Sequence, residues 1–180
     1  MTGPRLFCRF QPDRKFSPAI HEIPPEGFCL DVFWVVRRRD APNQVLLGQI
    51  EPREVWQEVG GIMPSRLAEV AEGWMLPSSH LVYGESPDAA ARRVASEQLG
   101  LSLEFPTIER VVSETYRPSY YPHGGDHWDL QFIYGTRADP ETIRPPSGLW
   151  RRLEFRSRSD LDGRPIVRSH GDILDYVGVR

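Results

Sequence analysis

The sequence predicts one α/β domain built around a mixed β-sheet, and three observations support this fold class. A chain of 180 residues with 39% hydrophobic and 11% aromatic content has the size and composition of a folded globular domain. Several short segments rich in β-branched and aromatic residues are separated by turn residues, as expected for strands. One central segment carries a full set of helix signals, and a shorter helical segment closes the chain. Strands that surround a strong helix are typical of an α/β architecture.

The chain begins with a Pro-rich stretch of weak periodicity, which predicts an irregular N-terminal arm over residues 1–27 ahead of a single domain at 28–180. Residues 28–36, "FCLDVFWVV", form a dense aromatic and β-branched run and therefore predict a buried strand. The turn-forming sequence "RRRDAPN" at 37–43 leads into a second apolar run at 44–50. The two runs predict a β-hairpin.

The next segment, 54–73, is ambiguous because glycines and Pro64 interrupt its pattern. A short helix at 66–70 is one alternative that the pattern leaves open. Residues 74–83, "WMLPSSHLVY", follow as a predicted strand, turn and strand.

Residues 85–100, "ESPDAAARRVASEQLG", predict the strongest helix of the chain. Ser86 is a favourable N-cap, Pro87 occupies the first helical position, and Asp88 lies near the positive end of the helix dipole. Gly100 is placed to end the helix in the left-handed conformation.

The C-terminal part predicts two strands, at 107–117 and 128–137, joined by the aromatic and Gly-rich loop 118–127. The alternating pattern of 149–155 predicts another strand, and 169–178 predicts a short final helix. In the loop, Gly124–Gly125 suggests a hinge, so a mobile lid and a polar hairpin loop without a task stay open as alternatives.

Composition excludes several function classes. A net charge of −3 argues against general electrostatic adhesion to nucleic acid or to an anionic membrane. No apolar run approaches the roughly 20 residues that span a bilayer, and no leader pattern opens the sequence, so we expect a cytoplasmic protein. Cys8 and Cys29 form neither a disulfide framework nor a zinc pattern, and both are expected to be packed or incidental thiols without a function.

The order "WMLP", "GESP", "AAARR" and "EQLGL" resembles the Nudix box, G-x5-E-x7-R-E-U-x-E-E-x-G-U. Aligned on Gly100, the chain has Ser79 at the first glycine, Glu85 at the first glutamate and Arg93 at the arginine. The resemblance covers about residues 28–178. It implies a Nudix-type α/β/α sandwich around a mixed β-sheet, with Glu85, Arg93 and Gly100 as structural residues of the box.

In the Nudix family, carboxylates on one face of the box helix and a backbone carbonyl of the Gly-Gly loop hold metal ions on a diphosphate. Positions 94, 97 and 98 share that helix face because they are three and four residues apart. Here Val94 offers no oxygen, Gln98 offers a neutral amide, and Glu97 is the remaining carboxylate. The resemblance therefore implies a weakened Mg²⁺ or Mn²⁺ site with Glu97 as its ligand.

Three side chains are candidates for catalysis: Glu97 as ligand or base, and His80 and His127 as proton carriers. The resemblance to GDP-mannose mannosyl hydrolases, which also have a non-acidic residue at the place of Val94, implies a loop histidine as base. His127 and His123 are the histidines of this chain that fit that role. Asp126, His127 and Asp129 are a second set that could hold a metal or supply a base. The candidates for substrate binding are Ser78, Ser79, Gln98, Tyr121 and Trp128.

Two functions from different classes follow from the resemblance. One is a Nudix-type hydrolase that acts on a nucleoside diphosphate linked to another group, such as a nucleotide sugar. The other is a catalytically inactive Nudix domain that binds a nucleotide or another small ligand as a regulatory or scaffold module. Metal-free chemistry on the same scaffold is a third alternative. The expected partner is a nucleotide-like small molecule, and a homodimer is an open alternative.

Overall fold

The structure is a computed structural model that describes the backbone of residues 9–10 and, in full, residues 27–117 and 126–179. Its strands are β1 (Arg9–Phe10), β2 (Phe28–Arg38), β3 (Val45–Ile50), β4 (Ser78–His80), β5 (Thr107–Tyr116), β6 (His127–Ala138) and β7 (Trp150–Arg156). Its helices are α1 (Val55–Gly60), α2 (Leu67–Val70), α3 (Pro87–Leu99) and α4 (His170–Tyr176).

Within the described residues, all seven strands join one mixed sheet whose main path runs β5-β6-β2-β3-β7. Strands β2 and β6 are parallel and pair from Phe28–Trp128 to Arg38–Ala138, whereas the other strand pairs are antiparallel. Strands β1 and β4 also pair with β2, so this strand organises the sheet. The predicted α/β class with a mixed sheet is confirmed.

Side chains of β2 alternate between the two faces of the sheet, as the twofold period of a strand requires. Val32 and Trp34 pack with Val94 in a core that contains the inner face of α3. Phe33 and Val35 point to the opposite face and pack in a core that includes α4. The sheet is therefore covered on both faces, which gives the predicted α/β/α layering.

Helix α3 begins and ends where the sequence predicts. The Ser86 hydroxyl accepts a hydrogen bond of 3.2 Å from the backbone N–H of Ala89, which satisfies one of the free donors of the first turn. Gly100 ends the helix with φ of 67°. A β-carbon at this position would lie 1.9 Å from the carbonyl oxygen of Arg144, so close packing as well as conformation requires glycine here.

The ambiguous segment between β3 and β4 folds into α1, a 3₁₀ turn at Pro64–Arg66, and α2. Trp56 anchors α1: its ring is fully buried, it lies edge-on to Trp150, and its Nε1–H donates to the Leu149 carbonyl at 3.0 Å. This anchoring packs α1 against α3 and β4. The segment thereby covers the end of the box helix.

Candidate functional site

The face of α3 that carries positions 94 and 98 is committed to packing and internal hydrogen bonds. Val94 is fully buried in the core between α3 and the sheet. Gln98 is also fully buried, and its Oε1 accepts the backbone N–H of Ser78 at 3.1 Å. Its amide nitrogen donates to the carbonyl oxygens of Ser78 at 2.8 Å and Val59 at 2.9 Å. The side-chain amide thus joins α1, β4 and α3.

These residues do not fit the magnesium site that the Nudix box implies. Mg²⁺ requires near-octahedral oxygen ligands, but Val94 has none, and the Gln98 oxygen is fully buried and accepts a backbone N–H. Glu97 lies on the next part of the helix surface and lines an open groove of about 520 Å³, together with Arg53 and Val59. In the Nudix family several carboxylates of the box helix hold the metal ions on a diphosphate. A single carboxylate in this groove does not provide that set of ligands.

The loop that precedes α3 is braced by a largely buried ion pair. Arg93 contacts both carboxylate oxygens of Glu85, at 2.9 Å and 2.8 Å. The same guanidinium donates to the carbonyl of His80 at 3.0 Å and to the Ser79 hydroxyl at 3.3 Å. Glu85 also accepts the backbone N–H of Val82 at 3.0 Å. The pair ties β4 and the following loop to the helix.

A polar cavity of about 150 Å³ lies on the opposite face of the sheet from α3. Alternate residues of the paired strands β2 and β6 form its floor: Cys29, Asp31, Phe33, His127, Asp129 and Gln131. Glu114 and Tyr116 of β5 and His80 of β4 extend the floor, and residues 61–63 after α1 lie at its wall. A buried sheet face with this many ionisable groups is unusual for a core and typical of a functional site.

Cys29, His127 and Asp129 form the centre of this cavity. Cys29 and Asp129 are paired across β2 and β6, and the His127 Nε2 lies 2.8 Å from Asp129 Oδ1. Although burial disfavours the imidazolium, hydrogen bonding to Asp129 and Cys29 raises the pKa of His127 to about 10. Burial by itself raises the pKa of the Cys29 thiol, but hydrogen bonds with His127 and His80 outweigh it and lower that pKa.

His80 forms a second acid–histidine pair with Asp31, adjacent to Cys29. Burial disfavours its charged form, yet the Asp31 carboxylate raises the pKa of His80 to about 10. The chain passes very near this ring at Gly61, where a β-carbon would lie 2.5 Å from His80 Cδ2. Gly61 also has φ of 64°, so the approach of the α1 segment to the cavity depends on glycine.

His170, at the start of α4, lines the same cavity but is held neutral. Its Nδ1 accepts the backbone N–H of Leu76 at 3.0 Å, and its ring lies edge-on to Phe33 with centroids 5.0 Å apart. Burial, followed by the charge of Arg168, lowers the pKa of His170 well below the usual value. The accepting nitrogen must stay unprotonated for the hydrogen bond to persist.

We expect His170 to make the protein acid-sensitive. The unfolded chain protonates this histidine below a pKa of about 6.5, and the folded protein does not, so the free energy of unfolding falls by up to about 1.4 kcal/mol per pH unit below that value. His80 and His127 have raised pKa values, so their contribution is fully present below about 6.5 and is lost as the pH rises towards 10. Urea unfolding of the wild-type protein and of His170→Asn, at several pH values from 7 to 5, measures how steeply the free energy of unfolding of each depends on pH.

Asparagine at this position retains an acceptor near Nδ1 but does not titrate, so the variant should show the shallower acid dependence. Carboxylates contribute equally to both proteins and cancel in the comparison. Equal slopes for the two proteins would contradict a neutral, buried His170.

Comparison with known proteins gives structural neighbours only. No protein-family model matches the chain, and no curated protein sequence matches it. The NUDIX domain of Shewanella oneidensis NrtR, solved in complex with ADP ribose, is similar over 91% of this chain and 92% of its own, with a TM-score of 0.59 and 14% identity. A MutT NUDIX hydrolase from Burkholderia pseudomallei is similar over 83% and 98%, with a TM-score of 0.57 and 18% identity. RenU, a Nudix hydrolase from M. smegmatis, is similar over 84% of both chains, with a TM-score of 0.52 and 19% identity.

The chain has the Nudix fold. This confirms the resemblance inferred from "WMLP", "GESP" and "EQLGL". The narrower likeness to GDP-mannose mannosyl hydrolases stays a prediction. Among the described residues of this Nudix fold, no helix has the length and apolar character needed to cross a membrane.

The Nudix fold separates the residues that the sequence proposed as a site. His80 and His127 meet in the polar cavity, whereas Ser78, Ser79 and Gln98 are buried around the start of the box and Glu97 lines the groove beyond α1. Two further candidates, Tyr121 and His123, lie outside the described residues, as does the Gly124–Gly125 hinge.

Trp128 and Asp126, neighbours of His127 in the sequence, do not line the cavity in the described part of the chain. Trp128 lies on the opposite face of β6 from His127, where its ring packs against Phe28 and its Nε1–H donates to the Ser113 hydroxyl at 2.8 Å. Asp126 forms an ion pair with Arg117. Of the predicted set Asp126, His127 and Asp129, the structure brings only the last two together.

The sequence did not lead us to propose several of the residues that line the cavity, above all Cys29, Asp31 and His170. The available signal was the alternation of Cys29 and Asp31 within an otherwise apolar strand, repeated by His127 and Asp129 in β6. Two strands with polar residues on one buried face indicate a site when they pair in register. His170 gave no such signal because its position in the cavity depends on the packing of α4.

Proposed function

We propose that this chain is a ligand-binding Nudix domain that does not use its box for metal-dependent hydrolysis. The observation that carries the proposal is the set of three hydrogen bonds by which the buried amide of Gln98 holds Ser78 and Val59. A metal ligand must present a free lone pair towards the substrate cleft. The Gln98 amide instead binds the backbone of Ser78 in β4 and of Val59 in α1, so it lies beneath α1 and does not face a cleft.

The surroundings of Gln98 support the same conclusion. Val94 fills the neighbouring position with an apolar side chain that packs in the core. Carboxylates at positions 94 and 98 could reach a metal ion only if both this packing and the contact of Gln98 with α1 were rearranged. The geometry thus favours the binding-module hypothesis over hydrolysis of a nucleotide sugar through box metals.

The ligand class that we propose is a nucleoside diphosphate linked to another group. Arg66 and Arg168 line the cavity from two different segments, and their guanidinium groups bring positive charge to it. Such groups bind phosphate oxygens by charge-assisted hydrogen bonds. The NUDIX domain of Shewanella oneidensis NrtR, which has the same fold, was solved with ADP ribose, a ligand of this class.

Calorimetric titration with ADP-ribose, a nucleotide sugar and ATP, each with Mg²⁺ and again without added divalent metal, tests this function. We expect binding of at least one diphosphate compound that is equally strong in both conditions, and no cleavage product by chromatography. Arg168→Gln should weaken that binding by about tenfold or more, since a hydrogen bond between charged groups contributes roughly 1.5–3 kcal/mol.

Glu97→Gln is the matched control because it removes the remaining box carboxylate outside the polar cavity. It should change neither affinity nor the absence of product. Mg²⁺-dependent cleavage that Glu97→Gln abolishes would overturn the proposal in favour of a hydrolase. Failure of every tested nucleotide to bind would overturn the ligand class.

A further inference from the structure

We propose that Cys29, His127 and Asp129 form a binding site for one divalent transition-metal ion of the zinc type, separate from the Nudix box. Each residue offers one ligand atom to the same point of the cavity, and the three ligand atoms all lie within 4.8 Å of one another. All three residues are buried, with exposures of 3%, 2% and 7%. The site lies across the sheet from the face that packs against α3.

The backbone explains why these atoms converge. Cys29 of β2 and Asp129 of β6 are register partners in the parallel pair, so their side chains point to the same face. His127 precedes Asp129 by two residues on β6 and therefore shares that face. The β2–β6 pairing runs without a bulge from Phe28–Trp128 to Arg38–Ala138, and His127 directly precedes it on β6, which fixes the spacing of the three residues before any ion binds. Rigid strands of this kind are suited to holding a preformed metal site.

The donor set selects the class of ion. A thiolate sulfur, an imidazole nitrogen and a carboxylate oxygen are the three donor types that Zn²⁺ accepts in tetrahedral sites. Mg²⁺ prefers an all-oxygen shell, so a site with a thiolate discriminates against the ion that the Nudix box would take. Three protein ligands leave a fourth position, and the cavity is where water or an oxygen of a bound molecule can supply it.

Charge supports the assignment. His127 gives up its proton when it binds a metal, and the Cys29 thiolate and the Asp129 carboxylate then carry two negative charges, which a divalent ion neutralises locally. In the neighbouring His80–Asp31 pair the positive imidazolium and the negative carboxylate cancel, so this pair adds no net charge to the site when both groups are ionised. The alternative for the same three residues is a thiol nucleophile activated by the His127–Asp129 pair without any metal. These two roles predict different behaviour of the Cys29 sulfur.

Titration of chelator-treated protein with Co²⁺, a spectroscopic substitute for Zn²⁺, tests the site. The experiment uses the Cys8→Ser background, so that Cys29 is the chain's only thiol. We expect one equivalent of Co²⁺ to produce a thiolate-to-metal charge-transfer band and strong visible bands of a four-coordinate ion, both removed by added Zn²⁺. Adding Cys29→Ser should abolish the charge-transfer band, and His127→Gln and Asp129→Asn should each lower Zn²⁺ affinity by about tenfold or more.

Circular dichroism of each variant separates loss of the site from loss of the fold, and Asp129→Asn, which preserves shape, keeps the test informative if another variant unfolds. Glu97→Gln is the control for the box and should leave Co²⁺ binding unchanged. The absence of the charge-transfer band, or an unchanged Zn²⁺ affinity in both His127→Gln and Asp129→Asn, would overturn the site. Alkylation of Cys29 by iodoacetamide at a rate unaffected by Zn²⁺ would likewise overturn it and favour the nucleophile. Because no nucleotide enters the titration, its outcome is independent of the proposed ligand.

Discussion

Replacing Gln98 with glutamate is expected to lower the free energy of unfolding by about 3–5 kcal/mol at pH 7, the cost of an unpaired buried charge. The amide nitrogen donates to the carbonyl oxygens of Val59 and Ser78, so the substitution places a carboxylate oxygen against two other oxygens. Gln98 is fully buried, and water does not screen the repulsion. Urea unfolding followed by tryptophan fluorescence measures the loss.

The same variant is expected to gain no Mg²⁺ site, although it restores a carboxylate to the Nudix box pattern. The new charge faces α1 and β4 rather than a cleft, and Val94 still packs in the core. Calorimetric titration of the Gln98→Glu protein with Mg²⁺ checks that no binding appears. Acidification should recover part of the stability, because burial raises the pKa of the introduced carboxyl group and the protonated form can donate one hydrogen bond.

Glu97→Gln is the matched control, since it makes the reverse exchange at the adjacent residue of the same helix. Glu97 lines an open groove, so its stability effect should stay within about 0.5 kcal/mol. A Gln98→Glu protein as stable as wild type that binds Mg²⁺ tightly would show that α1 moves away and that the box functions after all.

Arg93→Met is expected to lower the free energy of unfolding by about 3 kcal/mol, because it removes one partner of a largely buried ion pair and leaves the Glu85 carboxylate uncompensated. The two side chains are only 11% and 14% exposed. Methionine preserves most of the apolar stem, so the loss reports the charge and hydrogen bonds rather than a cavity. Equilibrium unfolding in urea at pH 7 is the measurement.

The control for this variant is Arg39→Met, which removes a comparable contact on the surface. Arg39 lies 3.0 Å from Asp139, but the side chains are 61% and 45% exposed, and surface ion pairs contribute about 0–1 kcal/mol. Equal effects of the two substitutions would show that the Glu85–Arg93 pair does not brace the loop. Since Arg93 also holds the carbonyl of His80, its loss should weaken ligand binding in the cavity as well.

Much of the fold was predictable because its signals are local. The ends of α3 depend on Ser86 and Gly100, whose effects act within one helical turn. Strand β2 is recognisable from its dense aromatic and β-branched run, and the order of strands and box helix was sufficient to indicate the Nudix fold. The Glu85–Arg93 contact joins two residues to which the resemblance to the Nudix box assigns a structural role.

The functional residues depend on contacts that no local signal encodes. The sequence by itself determined that position 94 has no oxygen and position 98 no charge, which is enough to weaken a metal site at the box. Only the tertiary structure decided that α1 closes over Gln98, because the glycines and Pro64 of that segment leave its path to long-range packing by Trp56. Only the parallel register of β2 and β6 brings Cys29, nearly a hundred residues earlier in the chain, to His127 and Asp129. A strand's sequence predicts which residues share a face, but the partner strand and its register are set by the packing of the whole sheet.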